Sequence, residues 1–432
     1  MSACRAALLA TTVLVGALSP LAVSADDAAD IRALRQQIES LRAEQARRIA
    51  EIQQQSDSQI RGLEVALDRL AGEKGVAVVR EPAPVPPAAA PSRTDASRFT
   101  FGGDLRLRYE DNFGDSANRN RNRGVLRARL RTSYQVLDWL TVGGQITTGD
   151  PDDPNSTDID LSNFDDDLQV SLDQAYLRAT FGSLTLTGGK MAQPFTRTEL
   201  VWDNDVSPQG LAASYKLKVS DRAALKFTGM YFLIDESVAG SDSDMTGAQA
   251  GFEFTPSSLW QTEAAVAYYD YKLRSIGGAD AGDFRTNLLG PGSRYLSDFN
   301  LIDVVGSASY LGFGVLWPVK LTGNYVRNMG AFTAADTGYS VDLGVGRSDK
   351  AGGWRFAYGY ASADADAVFA AFSQDNIAFG SNYLQHSLVA EYSPANHVVL
   401  SANLYHYRQK NIAAGLSPDW LNRVRLNVLV NF

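Results

Sequence analysis

The feature that most constrains this chain is a period-two alternation of apolar and polar residues, which runs from residue 98 to the C-terminus at residue 432. In its first segment Leu105, Leu107 and Tyr109 are separated by charged residues, and in its last segment Leu426 and Val428 flank an asparagine. An α-helix has a period of 3.6 residues and cannot sort residues onto two faces in this way. The alternation therefore predicts β-strands.

Sixteen alternating segments can be counted, at 99–110, 121–136, 139–149, 170–182, 183–190, 209–219, 222–235, 245–254, 260–271, 301–311, 317–328, 337–347, 351–363, 384–394, 397–408 and 423–432. Turn signals separate some of them, and long polar stretches at 111–120, 150–168, 272–300 and 364–383 separate others. Short turns at one end and long loops at the other are typical of outer-membrane barrels. The sequence thus predicts an all-β, transmembrane antiparallel β-barrel over 98–432, closed because an open sheet in lipid leaves backbone groups unpaired. A barrel of about 16 strands keeps an aqueous lumen.

A soluble β-sandwich would also alternate, but two features favour the barrel. Arg127, Arg129 and Arg131 share one face of a strand and would repel each other unless they met water or acidic partners. Tryptophan residues also occur near predicted strand ends, where the aromatic girdle of a membrane barrel would place them. These are Trp139, Trp202, Trp260, Trp317, Trp354 and Trp420.

The N-terminal residues 1–25 have the layout of a secretory signal peptide. Arg5 precedes a 13-residue apolar stretch at 6–18, and small residues precede Asp26, so cleavage is expected after Ala25. An uncleaved anchor is the alternative, but 13 helical residues reach only about 20 Å, less than the roughly 30 Å of a hydrocarbon core. Cys4 is the only cysteine, so no internal disulfide or cysteine-based zinc site is expected.

Residues 26–79 are expected to form a periplasmic coiled coil. Ile31, Leu34, Ile38 and Leu41 are spaced three and four apart, and the pattern resumes after a slip near Gln45. A solvated amphipathic helix without a partner is the alternative. Residues 80–97 contain five prolines among alanines, which predicts an extended linker and a domain boundary.

Composition argues against two functional classes. The net charge of −9 and pI near 5.0 disfavour a general nucleic-acid binder, which carries a basic domain. An outer-membrane lipase would need an activated serine with a histidine partner, but no Gly-x-Ser-x-Gly motif is present. The three histidines, His386, His397 and His406, lie near the C-terminus, and we expect His386 and His406 to lie in strands near an interface. No enzymatic activity, cofactor or metal site is predicted.

Several motifs occur in order over residues 101–215. They are Gly-Asp-Leu-Arg-Leu-Arg-Tyr at 103–109, Thr-Gly-Asp-Pro at 148–151, Leu-Asp-Gln-Ala-Tyr-Leu at 172–177, Gly-Lys-Met at 189–191, Glu-Leu-Val-Trp-Asp-Asn-Asp at 199–205 and Gly-Leu-Ala at 210–212. With them the stretch resembles the bacterial outer-membrane family known as putative porins, and the motif at 199–205 is the most specific.

The resemblance implies a function, a location and partners. It implies an outer-membrane porin of a Gram-negative bacterium, a water-filled channel for passive diffusion of small hydrophilic solutes or ions. It also implies contact with outer-membrane lipid and a homotrimer. Phe432, at the end of the last strand, resembles the signal read by the barrel-assembly machinery. The alternative function is a barrel anchor whose coiled coil acts as a periplasmic tether.

Closing the barrel places the last strand beside the first, and so predicts a cluster of inward-facing arginines, here called the arginine wall. Its members are Arg106, Arg108, Arg121, Arg123, Arg127, Arg129, Arg131, Arg423 and Arg425. Rows of arginine in a pore favour anions, whereas acidic partners would leave the wall electrically silent. The net charge of −9 therefore does not determine which ion such a pore prefers.

The loop 150–167 is the candidate constriction. It carries eight aspartates, Asp150, Asp152, Asp153, Asp158, Asp160, Asp165, Asp166 and Asp167. We hypothesise that this loop folds inward opposite the arginine wall and narrows the channel. Two alternatives remain open, a loop that binds Ca²⁺ through its carboxylates and a loop that is simply solvated.

Overall fold

The computed structural model describes residues 98–114, 120–162, 168–276, 286–411 and 419–432. These residues lie in a compact unit, Arg93–Phe432. The signal peptide, coiled coil and linker predicted for residues 1–97 lie outside the described residues. Asp165, Asp166 and Asp167 of the candidate constriction loop do so as well.

Sixteen strands form the wall of a closed antiparallel barrel, which confirms the predicted number. A further strand of two residues, β4, pairs with β2 beyond the point where β3 ends. The strands are β1 (Phe99–Gly114), β2 (Arg121–Leu137), β3 (Leu140–Thr148), β4 (Ile159–Asp160), β5 (Val170–Phe181), β6 (Leu184–Lys190), β7 (Gln209–Ser220), β8 (Ala223–Asp235), β9 (Ser243–Ser257), β10 (Trp260–Lys272), β11 (Phe299–Tyr310), β12 (Val319–Asn328), β13 (Thr337–Gly346), β14 (Trp354–Ala363), β15 (Tyr383–Ala395), β16 (Val398–Gln409) and β17 (Leu421–Asn431).

The barrel closes where β1 pairs with both β2 and β17. Leu107 lies opposite Leu126 on one side and opposite Val428 on the other, so apolar residues of the three strands share the outer face. Arg108 and its neighbours on alternate positions then share the inner face, because successive side chains of a strand point to opposite sides. The predicted adjacency of the first, second and last wall strands is confirmed.

The two ends of the barrel differ in their connections. Five connections, including those after β2, β5 and β7, are turns of two residues, and they lie at the end where β1 begins and β17 finishes. Longer segments join the strands at the opposite end, for example 149–169, 191–208 and 364–382. We call these the short-turn end and the long-loop end, and in outer-membrane barrels short turns face the periplasm.

Tryptophans mark the membrane boundary at the short-turn end. Trp139, Trp260, Trp317 and Trp354 all lie there with 43–44% of their surface exposed, as expected for an aromatic girdle. The interpretation of Trp202 as a girdle residue is wrong. Trp202 is fully buried, because it lies in the segment between β6 and β7 and packs against inward-facing aromatic rings.

The hydrophobic core lies inside the barrel. It is formed mainly by 191–208 and 364–382, here called the first and second lumen segments, and by inward side chains of neighbouring strands. Removing these apolar side chains from water is what favours packing inside a lumen that would otherwise be solvated. Among the described residues, no helix is long and apolar enough to cross a membrane.

Two glycines stand where the first lumen segment leaves the wall. Gly189 and Gly210 are directly paired on β6 and β7, with φ angles of 114° and 148°. A Cβ atom would lie 2.3 Å from the carbonyl oxygen of Ala175 at Gly189, and 2.1 Å from that of Tyr231 at Gly210. Only glycine fits this junction, since it alone has no Cβ and tolerates a positive φ.

Candidate functional site

The arginine wall occupies the inner faces of β1, β2 and β17, as the closure of the barrel requires. Each of its nine side chains forms an ion pair with a carboxylate. Among the described residues, those carboxylates belong to Asp104, Glu110, Asp158, Asp160 and Asp205. Nine arginines therefore meet five carboxylates, and the described part of the wall keeps a positive excess.

Glu110 is the most central of these acids. It lies on β1 with none of its side chain exposed, 2.8 Å from Arg123 on β2 and 2.7 Å from Arg425 on β17. Arg423 approaches the same carboxylate at 3.7 Å. Because its partners come from both neighbouring strands, Glu110 links the two sides of the seam at which the barrel closes.

Asp104 repeats this arrangement closer to the short-turn end. Its carboxylate contacts Arg127 at 3.0 Å, Arg129 at 2.9 Å and Arg131 at 3.0 Å. These three arginines follow one another on the inner face of β2, so their mutual repulsion is relieved by one shared acid. Arg131 keeps 48% of its side chain exposed to the lumen.

The loop between β3 and β5 packs onto the arginine wall itself. Asp158 contacts Arg106 and lies 2.5 Å from Arg108, while Asp160 on β4 lies 2.5 Å from Arg121 and 2.9 Å from Arg123. Burial alone would raise the pKa of Asp158, but the two arginines beside it hold that pKa below its usual value. The acidic partners envisaged for the wall thus include two of the predicted loop residues.

The other predicted loop acids have different surroundings. Asp150 and Asp152 are exposed, and Asp153 is partly buried. Among the described residues, no group of three or more histidine, cysteine, aspartate or glutamate side chains could hold a metal ion. The role of the loop as the constriction, or as a Ca²⁺ site, stays a prediction.

The first lumen segment crosses the barrel. At one end Asp205 lies 2.8 Å from Arg129 on β2. On the far side the amide of Thr196 donates to Gln249 on β9 at 2.8 Å, and its hydroxyl donates to Glu263 on β10 at 2.8 Å. Five wall strands separate β2 from β9, so a segment bonded to both must span the lumen.

The second lumen segment crosses beside the first. Its Asn376 accepts a hydrogen bond from Arg425 of the arginine wall at 3.0 Å, and its Phe369 packs on Tyr271 of β10. Two backbone hydrogen bonds join the segments, from Gln374 to the carbonyl of Glu199 at 3.1 Å and from Asp203 to that of Phe372 at 2.8 Å. The two segments therefore form one layer across the lumen.

An aromatic cluster holds this layer against the wall opposite the arginines. Trp202 stacks on Phe372 with ring centroids 5.7 Å apart, and it meets the edge of Tyr269 on β10 at 5.6 Å. Phe195 packs on the other side of Tyr269 at 5.2 Å. Aromatic pairs of this geometry are each worth about 0.5–1.5 kcal/mol beyond the burial of their surface.

Acidic groups of the lumen segments lie in low-dielectric surroundings. Glu199 accepts hydrogen bonds from Asn204 at 2.7 Å and from Asn376 at 2.5 Å. Burial raises the pKa of the Glu199 carboxyl, and the nearby Asp375 raises it further. Burial also raises the pKa of Asp203 well above its usual value, again with a contribution from Asp375.

Cavities lie on both sides of the layer. A cavity of about 890 Å³ extends from Glu199 and Gln374 to the short-turn end, where Pro318 and Arg347 line it. A second cavity of about 620 Å³ lies toward the long loops and is lined by Phe372 among others. No described residue lines both cavities, which we call the two vestibules.

Sequence reasoning did not predict the lumen segments. The motif at 199–205 indicates a family but no structural role, and the composition of 364–383 predicts a long polar loop. The run from Ala365 to Phe372 contains only one charged residue, and such an apolar loop between polar strand ends is a signal that could have indicated burial.

The comparisons with known proteins agree with this architecture. The family described as "Putative porin" matches residues 114–281, which confirms the resemblance stated from the motifs. The chain is similar in structure to OprB of Pseudomonas putida, with 14% identity over 78% of this chain and 95% of that chain and a TM-score of 0.53. The family match supports an outer-membrane channel, and the structural similarity supports the porin-type barrel fold.

Two other solved structures are similar to parts of the chain. The outer-membrane channel DcaP of Acinetobacter baumannii is 14% identical over 77% of this chain and 97% of that chain, with a TM-score of 0.46. The trimer form of OmpT from Vibrio cholerae is 12% identical over 77% and 99% of the two chains, with a TM-score of 0.47. No curated protein sequence matches the chain.

Proposed function

We propose that this protein is a porin through which small hydrophilic solutes or ions diffuse passively. The observation that carries the proposal is the layer formed by the two lumen segments, with a vestibule on either side. A barrel serving only as an anchor needs neither vestibule. The permeation path would pass between this layer and the barrel wall, where solute meets fixed charge of both signs.

The charges on the two sides of that path support control by charge. The arginine wall lies on β1, β2 and β17, whereas Asp205 and Asp375 belong to the layer. Asp205 approaches the wall directly, at 2.8 Å from Arg129. An ion in this gap would experience a field directed from the wall to the layer, and a row of arginines would favour anions.

Ion conductance in a planar bilayer tests the proposal most directly. The purified protein is expected to produce stable current steps, because a continuous water path would connect the two vestibules. We also propose the homotrimer that the family resemblance implies, and three equal steps for each insertion would support it. A folded protein that inserts without conducting would contradict the pore and favour the anchor.

Selectivity is expected to depend on Arg127 and Arg129. Replacing both with alanine removes two positive charges from the inner face of β2, so the reversal potential in a KCl gradient should shift toward cation preference. Arg327→Ala is the matched control, because it removes an arginine charge that does not face the lumen. The adjacent residues Val326 and Asn328 are buried inside the barrel, so Arg327 faces outward. An unchanged reversal potential in the double variant would refute the selectivity assignment.

Assembly and anchoring complete the proposal. We propose that Phe432 is the signal recognised by the barrel-assembly machinery. Its backbone pairs with Gly103 through hydrogen bonds of 2.8 Å and 3.0 Å, so the terminal residue contributes to the seam. The residue keeps 55% of its surface exposed and is accessible to a partner. The coiled coil expected at 26–79 would extend into the periplasm.

A further inference from the structure

The outer face of β14 to β17 carries a polar cluster near the long-loop end of the barrel. Tyr360, His386, His406 and Asn422 occupy directly paired positions on four consecutive strands. They face outward, because the residues next to them in the sequence, such as Gln385, Tyr405 and Tyr407, are buried inside the barrel. Toward the short-turn end the same outer face continues with Leu388, Leu404 and Leu426.

This cluster lies at the membrane boundary of the long-loop end. His386 is three residues from the start of β15 and His406 is three residues from the end of β16, which is about 10 Å along a strand. Two exposed tyrosines, Tyr325 on β12 and Tyr339 on β13, are directly paired on the outer face of the same half of the barrel. The cluster is thus part of the aromatic girdle that contacts lipid headgroups.

Arg408 supplies the positive charge of the cluster, and its guanidinium lies beside the ring of Trp420. Trp420 stacks on His406 with ring centroids 4.1 Å apart and planes inclined by 5°, and the Arg408 guanidinium lies 5.3 Å from the Trp420 ring. Among the described residues, no carboxylate forms an ion pair with Arg408. In contrast, two other cations at the long-loop end, Arg327 and Lys410, are paired, at 3.0 Å with Asp336 and 2.6 Å with Asp364.

The two imidazoles leave one nitrogen each for a further ligand. The Nδ1 atom of His386 is 2.9 Å from the Tyr358 hydroxyl, and that of His406 is 2.9 Å from the side-chain oxygen of Asn422. In the described part of the chain the Nε2 atoms of both rings have no hydrogen-bond partner. The outer face of the barrel therefore carries a guanidinium, from Arg408, and two imidazoles, from His386 and His406. The hydroxyls of Tyr358 and Tyr360 lie on the same face.

We propose that His386, His406, Arg408 and Trp420 bind the phosphorylated headgroup of a lipid in the outer leaflet. A guanidinium matches the geometry of phosphate oxygens, and the surrounding rings would pack on the acyl or sugar part of the lipid. An anionic headgroup at this depth could neutralise Arg408. This binding rests on the outer-membrane location and does not depend on conduction.

The test measures lipid binding by the purified full-length protein in a neutral detergent. Native mass spectrometry would follow titration with diphosphoryl lipid A and with the same lipid after removal of its phosphates. Wild-type protein is expected to prefer the phosphorylated lipid. Arg408→Gln is expected to weaken its binding about tenfold, because a charge-assisted hydrogen bond is lost. Arg327→Gln, at the same end of the barrel but paired to Asp336, should bind as the wild type does.

Several outcomes would overturn the proposal. These are equal affinity for the two lipids, unchanged binding by Arg408→Gln, or an equal loss in Arg327→Gln. Competition by millimolar inorganic phosphate would show a general phosphate site instead of a lipid site. A change in the number of protomers in Arg408→Gln would assign the surface to a contact between copies. If that variant does not assemble, His406→Gln gives the same comparison, because it removes the stacked ring and its Nε2 atom.

Discussion

Replacing Glu110 with glutamine is expected to destabilise the folded barrel by about 3–5 kcal/mol, the usual cost of removing one partner from a buried ion pair. Glu110 is fully buried and contacts Arg123, Arg423 and Arg425, so the substitution leaves three cations with reduced compensation. Because these arginines lie on β2 and β17, the loss falls on both sides of the closing seam. The midpoint of guanidinium unfolding in lipid vesicles, followed by tryptophan fluorescence, measures the effect.

Asp138→Asn provides the matched control for Glu110→Gln. Asp138 also pairs with an arginine, Arg98 at 3.3 Å, but 93% of its side chain is exposed. Exposed ion pairs contribute about 0–1 kcal/mol, so the control should unfold close to the wild type. Equal midpoints for Glu110→Gln and Asp138→Asn would mean that the buried acid does not hold the seam.

Replacing Trp202 with alanine is expected to release the lumen segments while leaving the barrel wall folded. Truncating a buried aromatic side chain costs about 3–5 kcal/mol, and here the cost falls on contacts with Phe372, Tyr269 and Tyr271. The hydrogen bonds between wall strands do not involve this residue. Single-channel conductance and current noise should both increase, because the layer between the vestibules becomes looser.

Trp260→Ala is the control for this experiment. Trp260 lies in the girdle at the short-turn end and is 44% exposed, so its loss should not alter the lumen. Hydrogen exchange of the amides at 197–204 reports independently whether the layer has loosened. Faster exchange in Trp202→Ala with conductance and noise equal to those of Trp260→Ala would show that the lumen segments do not control the pore.

The strand pattern could be read from the sequence because it reflects local chemistry. Leu107 faces lipid and Arg108 faces the lumen as a direct consequence of the two-residue repeat of a strand. The adjacency of β1, β2 and β17 also followed, since a barrel must join its first and last strands. The contact of Glu110 with Arg123, Arg423 and Arg425 could not be predicted from the sequence. It depends on the register in which β1 pairs with β2 and with β17.

The contacts of the loops could be predicted from the sequence only in part. Eight aspartates at 150–167 predict one functional loop, and Asp158 and Asp160 of this loop contact the arginine wall. The sequence places Trp202 in the girdle, because a tryptophan at the end of a predicted strand is consistent with both lipid contact and burial in the lumen. Only its contacts with Tyr269 and with Phe372, far along the chain, distinguish these positions.

The sequence by itself determined the wall of this protein, namely its strands, their two faces and the basic character of one side of the lumen. These properties follow from the alternation of neighbouring residues between lipid and water, which the pleated backbone translates directly into structure. The tertiary structure alone decided what fills the lumen and which acid each arginine meets. The path of 191–208 and 364–382 results from packing between residues brought together from many strands, and no local period encodes such contacts.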